Sequence, residues 1–142
     1  MPKQSPHGTP EYRLTVTPHL NERRQLPTTL VLLETVQYFA TFRYELSVDL
    51  RRDGHDLTLT VRGLQAPDLS LPAPGHARYL REFDDLHGTV TVTVRGLDGR
   101  SGSVTLRIAP QRVRIITPPA DEFLTVTVEP GSTPVRRRKT PR

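Results

Sequence analysis

Phe42-Arg43-Tyr44-Glu45-Leu46-Ser47-Val48-Asp49-Leu50, followed after a polar link by Leu57-Thr58-Leu59-Thr60-Val61-Arg62, is the stretch that decides the fold. In the first run every even position is apolar and every odd one polar; the second alternates in the opposite phase. A period of two turns one side of an extended chain toward a core and the other toward water, whereas a helix needs a period near 3.6. The link, Arg51-Arg52-Asp53-Gly54-His55-Asp56, contains the Asp-Gly pair favoured in hairpin turns. The stretch reads as a β-hairpin.

The same logic extends outward. Val90 to Arg95 and Val104 to Ile108 alternate in the same way, and the glycines Gly96, Gly99 and Gly102 between them supply a second hairpin turn. Tyr12 to Val16 reads as a first strand, Arg112 to Ile116 as a penultimate one and Phe123 to Val128 as the last, with Pro18, Pro110, Pro118, Pro119 and Pro130 where strands should end. Leu30 to Phe39 is apolar without clean alternation, and its β-branched and aromatic content favours a buried, bulged strand. His76 to His87 has helical spacing, with Arg78–Glu82 and Arg81–Asp85 at i, i+4 and Gly88 as a C-terminal stop, and predicts one short helix. Leu57-Thr-Leu-Thr-Val-Arg-Gly-Leu64 returns as Val90-Thr-Val-Thr-Val-Arg-Gly-Leu97, with no third copy, so it marks two equivalent strands and not a repeat array. The expected fold is all-β: an immunoglobulin-like β-sandwich of about 7–8 mostly antiparallel strands with one short helix, a small β-barrel being the alternative.

A chain of 142 residues fits one domain. Prolines crowd both ends, so residues 1–10 read as a flexible tail, 11–129 as the β domain and 130–142 as a disordered basic tail. Without cysteine there is no disulfide framework and no thiolate metal site. The first residues lack the apolar stretch of a signal peptide, and the run from Leu30 to Phe42 is too short and too interrupted to span a membrane, so a cytoplasmic protein is expected. Net charge is +5, from 20 Lys and Arg against 15 Asp and Glu. Five of those cations, Arg136, Arg137, Arg138, Lys139 and Arg142, lie beyond every acid, which leaves residues 1–135 balanced at 15 against 15. A structured basic face would therefore require segregation of charge within the domain, from residues such as Arg62, Arg95, Arg107, Arg112 and Arg114.

No catalytic signature is complete. Gly99-Arg-Ser101-Gly102-Ser103 lacks the last glycine of a nucleophile elbow, and no phosphate-cradling Gly-x-x-x-x-Gly-Lys run exists. The five histidines show no metal-ligand spacing, and His55 beside Asp53 and Asp56 reads as turn chemistry. Asp84-Asp85 reads as a solvated pair beside arginines. Arg23-Arg24 and Asp68-Leu69-Ser70 match two pieces of the signature by which PilZ domains hold cyclic di-GMP, but Ala73 replaces its glycine and the signature is not met. Outward threonines (Thr15, Thr17, Thr58, Thr60, Thr89, Thr91, Thr93, Thr125, Thr127) form the kind of rows that order water in ice-binding sheets; Arg13, Arg62, Arg95 and Arg107 interrupt them, and an ordinary solvated face is expected. No cofactor is expected. The functional expectation is a non-catalytic module that binds another protein. The alternative is an accessory protein making weak, nonspecific nucleic-acid contact through Arg136, Arg137, Arg138, Lys139 and Arg142.

Overall fold

The structure, a computed structural model, describes residues 11–40, 43–66 and 73–129. The alternating runs form strands β1 (Tyr12–Asn21), β2 (Leu26–Phe39), β3 (Glu45–Asp53), β4 (Asp56–Gln65), β5 (Gly75–Phe83), β6 (Gly88–Arg95), β7 (Ser101–Ala109), β8 (Arg112–Thr117) and β9 (Leu124–Val128). All nine belong to one sheet, ordered β8-β7-β6-β4-β3-β5-β2-β1-β9, which curls until it nearly closes into a barrel. The chain neighbours β1–β2, β3–β4, β6–β7 and β7–β8 pair antiparallel, as does β2–β5, while β1–β9, β4–β6 and β3–β5 are parallel. The β3–β5 junction is a single bridge, Glu45 with Arg78. Inward residues of every strand fill the interior: Leu14, Val16, Leu33, Leu57, Leu59, Val90, Val92, Val94, Val104 and Leu106 are all essentially inaccessible. Each such side chain stabilises the fold by about 1.5–3 kcal/mol relative to exposure.

The hairpins form as the turn residues demand. Asp53 pairs with Asp56, leaving a two-residue loop whose first position, Gly54, has φ 62, the placement of glycine in a type II′ turn. β2 is long and bulged, its register with β5 shifting between Glu34 and Tyr38. The buried Thr35 sits in that bulge, where its hydroxyl accepts from the Ala77 N–H (3.0 Å) and donates to the Gln37 carbonyl (2.9 Å).

Three expectations need correction. The helix over His76–His87 is absent: residues 75–83 are β5, antiparallel to β2, and Gly88 (φ 85) opens β6. The edge of a 14-residue strand offers a ladder of backbone partners that a short surface helix cannot match, so tertiary pairing overrides the local pattern. Gly75, Ala77 and Phe83 are buried at odd positions of the strand, while Leu80, an even one, is 59% exposed. The two separate sheets of an immunoglobulin-like sandwich are replaced by a single nine-stranded sheet, for which the barrel alternative is the nearer description. Pro18 does not end β1, which runs on to Asn21. Even-numbered residues of β1 turn their backbone groups toward β9, and β9 ends at Val128 opposite Val16, so the missing N–H of Pro18 costs no ladder bond.

Candidate functional site

The outward residues of β4, β6, β7 and β8 form one continuous face, and the register fixes its layout. Thr58 lies beside Thr93 and Thr93 beside Ser103; Thr91 lies beside Thr105 and Thr105 beside Thr117. The hydroxyls of Thr93 and Ser103 are 2.8 Å apart and those of Thr91 and Thr105 are 3.4 Å apart. Beyond this hydroxyl field, toward the start of β6, Arg107 stands directly opposite Arg114 and Arg112 follows opposite Ala109. At the other end of the field, Arg95 lies between Thr60 and Ser101. A cleft of about 520 Å³ opens there between Arg62 and Arg95, walled by Thr60, Gly96, Leu97 and Gly99.

Residues 88–117 hold five arginines against the single acid Asp98, a net of +4. Asp98 belongs to the β6–β7 turn, where the backbone N–H and guanidinium of Arg100 hold its carboxyl below the usual carboxylate range. Arg100 also reaches Glu11 at 2.7 Å and lies 5.1 Å from the centre of the Phe123 ring, so it locks the turn to the start of β1. The other four, Arg95, Arg107, Arg112 and Arg114, are exposed and form no ion pair with a described residue. No acidic side chain points outward from β6, β7 or β8. Arg62 pairs with Asp49 at 3.0 Å, with both side chains more than half exposed.

Other residues weighed in the sequence have structural work to do. Asp84 and Asp85 are gripped by Arg24 (2.6 Å) and Arg52 (2.8 Å), and Arg52 lowers the pKa of Asp85. These pairs tie the loop after β5 to the β1–β2 turn and to β3, replacing the helical pairs expected for Arg78 and Arg81. His55 lies in the hairpin turn, where its carbonyl accepts from the Thr91 N–H (3.0 Å) and sets the β4–β6 register. Ser101 opens β7. Asp68, Ser70 and the basic residues Arg136, Arg137, Arg138, Lys139 and Arg142 lie outside the described residues. Among the described residues no cluster of three or more His, Asp or Glu is placed to hold a metal, and no helix is long and apolar enough to cross a membrane.

The architecture is that of a nearly closed all-β barrel with one face rich in hydroxyls and arginines, on which Asp56 stands beside Thr91. Compared with protein-family models, curated proteins and solved structures, the chain matches none.

Proposed function

We propose that this protein is a non-catalytic polyanion-binding module whose contact surface is the outer face of β6, β7 and β8. The observation that carries the reading is Arg107 directly opposite Arg114 on a surface with no acid of its own. Like charges facing each other across two strands oppose pairing, at about 0.2–1 kcal/mol. An anion bridging both guanidiniums turns that repulsion into two charge-assisted contacts, and flanking threonine and serine hydroxyls are ordinary partners of phosphate and sulfate oxygens. Arg136–Lys139 and Arg142 add a second, sequence-encoded source of positive charge. A module that holds a protein along an edge strand has less support. β8 is short, carries Arg112 and Arg114, is bulged opposite Thr105 and Leu106, and runs into Pro118-Pro119, all features that blunt an edge.

The test is anisotropy of labelled heparin and of a labelled oligonucleotide, titrated with wild-type protein and with Arg107→Ser/Arg114→Ser at low salt. Affinity for both probes should fall at least tenfold. The melting temperature should hold or rise, because a repulsion has been removed. Unchanged affinity in the variant would overturn the reading.

A further inference from the structure

The two arginine groups stand at opposite ends of the hydroxyl field, and their separation speaks to the shape of the ligand. Arg107 lies opposite Thr89, and Thr89 to Arg95 is six residues along β6. At about 3.3 Å per residue the groups are roughly 20 Å apart at the backbone. Between them stand short side chains, those of Thr91, Thr93, Thr105, Ser103 and Thr58, with one acid, Asp56, at the β4 margin beside Thr91, so nothing long protrudes from the middle of the face. Inward-directed rotamers of these long side chains would bring the guanidiniums toward the spacing of two phosphate rows across a groove about 12 Å wide, that of duplex major grooves. The chain's four Phe and four Tyr all lie outside β4, β6, β7 and β8, so the face has no aromatic platform on which unpaired bases could stack.

Resting on the polyanion reading, we infer that the ligand is duplex nucleic acid. It is held across one groove, with Arg107, Arg112 and Arg114 on the phosphates of one strand and Arg95, beside the Asp49-paired Arg62, on those of the other. The cleft between Arg62 and Arg95 receives a phosphate of the second strand. Contact is to backbone only and is indifferent to sequence. A single strand meets one arginine group at a time and binds more weakly.

The experiment measures full-length protein against a 20-base-pair duplex, its unpaired single strand and heparin, each at four salt concentrations. The variants are Arg107→Ser/Arg114→Ser, Arg62→Ser/Arg95→Ser and the combination, with circular dichroism melts to verify folding. The duplex is expected to bind at least tenfold tighter than the single strand. Arg107→Ser/Arg114→Ser should flatten the salt slope on duplex by up to about 1.8, two contacts at about 0.9 each, and Arg62→Ser/Arg95→Ser by about 0.9, because Asp49 already neutralises Arg62. Single-strand affinity should respond less to either double variant than duplex affinity does. A single strand that binds as tightly as the duplex overturns the duplex assignment, as does duplex binding untouched by Arg62→Ser/Arg95→Ser. Heparin binding without duplex binding overturns it in favour of a sulfated glycan and leaves the polyanion reading standing. Absence of binding to all three probes removes both.

Discussion

Thr35 shows how one hydroxyl makes an irregular strand affordable. Where the β2–β5 ladder breaks, the Ala77 N–H is left without a backbone partner and Thr35 supplies one from its side chain. Thr35→Val keeps the shape and the β-branching but leaves that buried donor unpaired, a loss of about 1–3 kcal/mol. Chemical denaturation should register it, while Thr35→Ser should recover most of the difference. Val92 and Thr93 make the complementary point, because neighbours on one strand face opposite solvents. Val92 is 1% exposed and Thr93 looks outward between Thr58 and Ser103. Val92→Asp buries an uncompensated carboxylate in the barrel interior, a penalty of several kcal/mol against a domain stability of about 5–15, and should unfold the protein. Thr93→Asp should stay folded and lose polyanion affinity. Equal melting temperatures would mean that the inward face has been misidentified.

At the scale of elements, the clean alternators were legible and the ambiguous stretch was not. Eight of the nine strands follow from period two, turn glycines and β-branched content, because half-buried strands must alternate. β5 escaped because Arg78–Glu82 and Arg81–Asp85 are spaced equally well for a helix, and nothing local reveals that β2 has a free edge waiting. The arginine face was half legible. Alternation marks Arg95 and Arg107 as outward, but a domain-wide charge count of zero conceals segregation that only the order β8-β7-β6-β4 brings together. Far-ultraviolet circular dichroism should accordingly show a strand spectrum without helical minima; a helical signal matching residues 76–87 would restore the discarded helix. The start of β2 and the end of β5 are also joined by Glu82, which accepts from the Thr28 hydroxyl (2.7 Å) and the Asn21 amide (2.9 Å). These bonds favour the carboxylate and lower its pKa in the folded state. The stability they contribute is thus present above the unfolded carboxylate pKa and is lost as pH falls through the folded one. Melts between pH 7 and pH 3 should decline more steeply for the wild type than for Glu82→Gln, and parallel curves would deny Glu82 any part.

Over the whole molecule, charge is distributed unevenly enough to orient an approaching polyanion. Residues 88–117 carry +4 and residues 136–142 carry +5, so the remainder of a chain whose total is +5 carries −4. A polyanion is repelled by most of the barrel and drawn to one face and one terminus. The two sources separate by arithmetic. Nine cations are available, four unpaired on the face and five in the terminal run. If all neutralise duplex phosphates, the slope of log affinity against log salt reaches about −8, of which deletion of residues 131–142 removes at most about 4.5. The deleted protein should therefore keep a slope near −3.6, four contacts at about 0.9, with affinity that is weak at physiological salt and measurable at low salt. Anisotropy titrations of full-length and deleted protein over 25–200 mM salt supply both slopes. A deleted protein that binds nothing even at the lowest salt would place all affinity in Arg136–Lys139 and Arg142, and the arginines of β6, β7 and β8 would then be ordinary solvated charge. A residual slope near −3.6 that vanishes when Arg95, Arg107, Arg112 and Arg114 are all changed to serine would locate the structured half of the binding energy on the face.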